Sequence, residues 1–195
     1  MTYCFAITWN CSGQIMQQKN TYPWNYLLAA QPDKAQLQEV MEDQTLETRH
    51  KILAANLLLR MGISLKKELF AAIIEVAVEE GLDVVAAYKD GTARYLNHSE
   101  KMIFWDTKTV QSTALIQQLF SASGEVVQQI GPWKKARLPF PSGGKTRLSF
   151  LVSDGLYFGE GLFNALYKDP KGRPVIDAAI ALMTFLIDQN LSAKN

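Results

Sequence analysis

Apolar positions along this chain repeat with two different periods, and the period changes mark its elements. Residues 2–9 (TYCFAITW) alternate and are rich in β-formers, which predicts a short strand with Gln14–Gln18 as partner across a Ser12-Gly13 turn. Asn20–Gln31 is aromatic, contains Pro23 and has no clear period; it reads as an irregular segment anchored by Trp24 and Tyr26. A helical period follows. Asp33 is placed to cap a helix carrying Leu37, Val40 and Met41, and a second helix from about Leu46 to Met61 ends before Gly62. His50 falls on that helix beside Arg49 and Lys51, on a face expected to be solvated.

From Leu69 the period falls to two. Residues 69–79, Asp83–Tyr88 and Met102–Asp106 read as strands, and Asp90-Gly91 marks a hairpin. A two-residue loop closed by Lys89 and Thr92 would pair Tyr88 with Ala93, Ala87 with Arg94, Ala86 with Tyr95 and Val85 with Leu96. That register puts Tyr95 and Asn97 on one face and Arg94 and His98 on the other. Thr107–Ser123 is a helix capped by Asp106 or Thr107, with a separate short piece through Val126, Val127 and Ile130. Gly131–Thr146, with three prolines and three glycines, is a loop. Residues 147–153 and Leu156–Phe158 form a second hairpin, which Gly159-Glu160-Gly161 ends before a short helix around Leu162–Tyr167. Pro174–Gln189 is a helix apolar on nearly every face, central to the packing.

Strand runs set between helices predict an α+β domain with a mainly antiparallel sheet of five or six strands. The order, helices, three or four strands, helix, two strands, helix, is similar to that of type III secretion chaperones. The expected organisation is an N-terminal segment, residues 1–31, packed on a single α+β domain of residues 32–195.

Composition narrows the function classes. Twenty basic and 19 acidic residues leave a net charge of +1, so nucleic acid is not an expected partner. Two cysteines, Cys4 and Cys11, are too few for a disulfide scaffold and do not have zinc-ligand spacing. The N-terminus has neither the basic nor the long apolar stretch of a signal peptide, and the apolar run Ala178–Ile187 is short against the ~20 residues of a membrane span. The expectation is a cytoplasmic protein with no membrane contact, no metal and no cofactor.

No established catalytic motif is present. Gly143-Gly144-Lys145-Thr146 has the ending of a phosphate loop but lacks the earlier glycine, which here is Pro139, and a strand rather than a helix follows. The basic loop could instead contact an acidic partner. Glu75 lies in an apolar strand; it is either on a wet polar face or buried with a raised pKa and an arginine partner such as Arg94. Glu160 between two glycines reads as a helix-start carboxylate or a binding group. His98 at a strand end reads as a turn histidine or a general base.

The run Glu75–Asn97 (E-x-x-x-E-x-G-L-D-V-x-A-x-Y-x-D-G-x-x-R-Y-x-N), with Trp105, Ile130-Gly131-Pro132-Trp133 and Asp154–Gly161, resembles a family of bacterial proteins to which no activity is assigned. The resemblance spans roughly residues 65–190 and implies a bacterial domain without supplying a catalytic residue.

The leading expectation is a non-enzymatic binding or adaptor domain that recognises a protein segment or small ligand through Arg94, His98, Trp133 and Glu160. A small-molecule enzyme would need Arg94, Asn97, His98 and Glu160 to converge in one pocket. A homodimeric structural module is the third alternative.

Overall fold

The computed structural model describes residues 20–192. The strands expected at 2–9 and 14–18, and both cysteines, lie outside the described residues. The chain divides into two compact units between Lys67 and Glu68, whereas the sequence placed its boundary after Gln31.

The first unit is helical. Its elements are α1 (Trp24–Leu27), α2 (Lys34–Glu42) and α3 (Thr48–Arg60). Asp33 caps α2 as expected, its carboxylate accepting from the Gln36 amide at 3.0 Å. Helix α3 ends in a Schellman turn: Gly62, at φ 76°, donates to Leu59 O, and Ile63 donates to Leu58 O. Trp24, Leu27, Leu37, Val40, Ala54 and Leu58 form the core of this unit. The segment around Trp24 is thus a helical turn rather than irregular, and Trp24 is the anchor it was expected to be. His50 is a correction. It is buried, and its ring meets Trp24 edge-on at 4.9 Å.

The second unit carries a six-stranded antiparallel sheet in the order β4-β3-β2-β1-β5-β6, and with its helices it is α+β. The strands are β1 (Leu69–Val78), β2 (Gly81–Tyr88), β3 (Ala93–Leu96), β4 (Met102–Trp105), β5 (Lys145–Val152) and β6 (Gly155–Leu162). Helix α4 (Val110–Val127) connects the meander β1–β4 to the hairpin β5–β6, and α5 (Phe163–Lys168) and α6 (Gly172–Ser192) follow.

One sheet face is the core. Ala72, Ile74, Val85, Ala87, Ala93, Tyr95, Leu148, Phe150 and Tyr157 pack against Ile116, Leu119 and Val127 of α4 and against α6. Helix α6 is long and apolar enough to cross a membrane by length and composition, yet Val175, Ile176, Leu182 and Leu186 are spent on this core. That is the central packing role its all-round apolar pattern predicted.

Four local expectations change. The β2–β3 register is one residue off the expected one: Ala87 pairs with Ala93, Ala86 with Arg94 and Val85 with Tyr95. The cause is the turn. Tyr88 and Thr92 close a three-residue loop, the Gly91 amide donates to Tyr88 O, and Gly91 takes φ 87°, the left-handed position of a bulged hairpin. Helix α4 is continuous through Gly124, because Leu119, Ser123 and Val127 extend one buried stripe across it. Its cap is Thr109, in a reciprocal capping box with Ser112 at 3.0 Å each way, not Asp106 or Thr107. Strand β6 runs on through Gly159-Glu160-Gly161, since Glu160 pairs across the ladder with Arg147.

Candidate functional site

The helices α4 and α6 occupy the first face of the sheet, so chemistry reachable from outside gathers on the second. Strand alternation places Glu75, Ala86, Tyr88, Arg94, Phe104, Arg147, Ser149, Phe158 and Glu160 there. The two ends of this face differ.

At the β1–β5–β6 end lies a closed ionic network. Arg147, 3% exposed, donates from Nε to Glu160 Oε2 at 2.9 Å and from Nη2 to the same oxygen at 2.5 Å. Two more donors take the carbonyls of Leu138 (3.4 Å) and Pro139. Glu75, also buried, has Arg137 Nη2 at 3.6 Å and Arg147 Nη1 at 3.9 Å, and Ser149 Oγ donates to its Oε2 at 3.5 Å. Burial pushes the Glu75 carboxyl above the ordinary glutamate value. The two arginines and Ser149 oppose that shift, and Glu160 adds to it. Desolvation wins because Arg147 spends its close contacts on Glu160.

The segment from Gly131 to Ser142 crosses this network as a strap. The Trp133 amide donates to Leu156 O at 2.6 Å, its indole to Ala136 O at 2.9 Å, and its ring packs on Phe158 at 4.8 Å. Arg147 is therefore a clamp on strap and sheet, with four of its five N–H donors already used.

The β2–β4 end is open. Arg94 stands opposite Phe104 in the β3–β4 ladder, and its guanidinium carbon lies 5.3 Å from the Phe104 ring and 5.5 Å from the Tyr88 ring. Its Nε is buried and lacks a hydrogen-bond partner, and among the described residues it forms no ion pair. Phe104 is 50% exposed, and Val84, Leu96 and Met102 beside it are half-buried. Burial raises the Tyr88 hydroxyl above the ordinary tyrosine value, while Arg94 pulls against that shift. Tyr88 is thus a neutral ring for the cation to lie on.

The four residues of the enzyme alternative do not converge. Arg94 and Glu160 share a face, but the path from β3 to β6 crosses β2, β1 and β5, which separates them by roughly 19 Å. Asn97 is spent on the β3–β4 turn, its Oδ1 accepting from the Ser99 and Lys101 amides. His98 sits at the same turn, its amide 2.7 Å and its Nδ1 3.3 Å from Asp83 Oδ1. It is the hydrogen-bonded turn histidine the sequence favoured. Glu160 is not at a helix start: it pairs with Arg147. A hollow of about 430 Å³ lined by Gly144, Leu162, Phe163, Asn164, Ala165 and Lys168 contains none of the four. A strand follows Gly143-Gly144 as expected, but it opens at Lys145, two residues before the expected start at 147. No group of three or more potential metal ligands occurs among the described residues.

Sequence reading missed Arg147 as a site residue, and it named Arg94 rather than Arg137 and Arg147 as the partner of Glu75. The pairing of Arg147 with Glu160 needs only the β5–β6 hairpin register, and the pairing of Glu75 with Arg147 needs the long-range β1–β5 register. Phe104 was missed because its place opposite Arg94 follows from the β3–β4 register, which the sequence reading did not assign. No protein family, curated protein or solved structure matches this chain.

Proposed function

We propose that this protein is a binding domain that captures an acidic, apolar protein segment on the β2–β4 end of the second sheet face. The observation that carries this reading is Arg94. Its guanidinium lies between Tyr88 and Phe104, its side chain is only half-buried, and among the described residues it forms no ion pair. A pre-oriented arginine loses little side-chain entropy on meeting a carboxylate, and its planar donors suit that group. Around it Val84, Leu96, Met102 and Phe104 supply apolar contact, the combination usual at interface anchors. Strand β4 has one neighbour among the described residues, so an extended segment can add to its other side. Alternate side chains of that segment would then lie beside Phe104 and Met102.

Selection from a random peptide display library against the whole protein tests this. The expected peptides carry Asp or Glu flanked by apolar residues, and they are lost with Arg94→Ala and with Phe104→Ala but kept with His98→Ala. Peptides without acidic enrichment, or binding indifferent to Arg94 and Phe104, would sink the reading.

A further inference from the structure

The strap offers a second surface, built from residues the Arg94 site does not use. From Gly131 to Lys145 the chain has Lys134, Lys135, Arg137 and Lys145 and no acidic residue. Every residue from Lys134 to Phe140 is exposed, including Leu138 at 41% and Phe140 at 67%. Exposed does not mean loose here. The carbonyls of Leu138 and Pro139 turn inward onto buried Arg147, and Trp133 ties the strap to β6. The apolar side chains of Leu138 and Phe140 are left outward on a fixed backbone.

The corner extends onto the end of the sheet. Leu162, 59% exposed, pairs with Lys145 in the β5–β6 ladder, and the Phe163 amide donates to Gly144 O at 3.2 Å.

Charge at this corner is one-sided. Glu75 and Glu160 are its carboxylates, contacted by Arg137, Arg147 and Lys145 at 2.5–3.9 Å. Lys134 and Lys135 form no ion pair among the described residues; Lys135 lies over the Trp133 ring at 5.7 Å. On the strap and the strands beneath it five cations thus accompany two carboxylates, with Glu79 and Glu80 beyond them at the β1–β2 turn.

The geometry points to peripheral docking of this corner on an anionic membrane surface, with the lysines at the headgroups and Phe140, Leu138 and Leu162 in the interface. A bilayer is favoured over an acidic polypeptide by the shape of the strap. Peptide capture uses a groove, a strand edge or an arginine cluster, and both arginines of this corner already meet carboxylates, Arg137 at Glu75 and Arg147 at Glu160. None of residues 134–140 lines the hollow near α5, and Pro139 and Pro141 remove two backbone donors from any edge. Outward apolar side chains ringed by lysines match instead what an anionic interface takes up.

Co-sedimentation of the full chain with phospholipid vesicles tests this. One set is phosphatidylcholine alone; the other contains about one-third phosphatidylserine, at low and high salt. The wild type is expected to pellet with the anionic vesicles only, and less at high salt. Lys134→Glu with Lys135→Glu is expected to lower its partition by about tenfold or more, since the change reverses two surface charges. Phe140→Ser weakens it further, and Arg94→Ala leaves it unchanged. Lys134, Lys135 and Phe140 are exposed, and near-UV circular dichroism checks the fold of each variant. Failure to pellet, equal pelleting with both vesicles, or indifference to the lysine pair would overturn the inference. Binding to polyglutamate without binding to vesicles would overturn it in favour of an acidic polypeptide.

Discussion

Arg94 and Phe104 face each other across β3 and β4, with the guanidinium carbon 5.3 Å from the ring centroid. Tyr88 closes the other side at 5.5 Å. Tyr88 shares the Arg94 face only because the β2–β3 loop has three residues. One residue fewer would move Tyr95 to the Arg94 side and bury the wrong group.

Phe104→Leu keeps apolar area but removes one aromatic face from Arg94. The expected loss in stability is about 0.5–1 kcal/mol, the range for an exposed cation–π contact. Affinity for acidic peptides should fall several-fold more than that loss implies, because Arg94 is no longer held in place. Urea denaturation and peptide titration on the same variant separate the two effects.

Arg147→Met breaks the closed network. Arg147 is 3% exposed and serves Glu160, Glu75 and two strap carbonyls, so its loss takes both close hydrogen bonds from Glu160, leaving Lys145 at 3.5 Å, and leaves Glu75 to Arg137 at 3.6 Å. The expected cost is about 3–5 kcal/mol in urea denaturation. Adding Glu160→Gln should recover part of it by removing the charge that lost those bonds. A double variant no more stable than the single one would contradict the assignment.

Glu75 sets a pH dependence. Its folded-state pKa is raised, chiefly by burial, so the folded protein binds this proton more tightly than the unfolded chain. That contribution is fully present below the ordinary glutamate value and is lost as pH climbs from there through the raised one. Wild type should therefore lose stability relative to Glu75→Gln across that window and level off above it. Paired urea titrations over pH measure the difference. A gap that widens on acidification instead would contradict the sign.

How much of this was legible in sequence depended on the range of the contacts involved. Period-two and helical patterns located β1, β2, β4, α2, α3 and α6, because each buries one side against a core. The Asp90-Gly91 signal located the hairpin but not its register, since the same dipeptide serves two- and three-residue loops and the choice rests on Gly91 alone taking a left-handed φ. Arg94 was named early, yet its rings could not be, because Tyr88 shares its face only in that register and Phe104 meets it through the β3–β4 pairing. Arg147 and Glu160 meet across the local β5–β6 hairpin, but Glu75 joins them through a β1–β5 pairing spanning some 70 residues, which no local pattern encodes.

Gly172 carries a packing constraint at the start of α6. A Cβ there would stand 2.6 Å from the Leu166 backbone carbonyl oxygen, closer than atoms approach without a backbone shift. Gly172→Ala is expected to destabilise by about 1–3 kcal/mol, as overpacking does. Gly124→Ala is the control. Nothing lies within 4 Å of its added Cβ, so it should stabilise α4 by about 0.5–1 kcal/mol. Thermal melts of the two variants check the opposite signs.

The central claim is that the β2–β4 end of the second face binds an acidic segment through Arg94. Amide and side-chain NMR shift mapping with the display-selected peptides tests it most directly. The account predicts perturbations concentrated at Val84, Arg94, Leu96, Met102 and Phe104, with the Arg94 Nε–H signal moving most. Perturbations gathered on the strap or around α5, or a library that yields no binder at all, would contradict it.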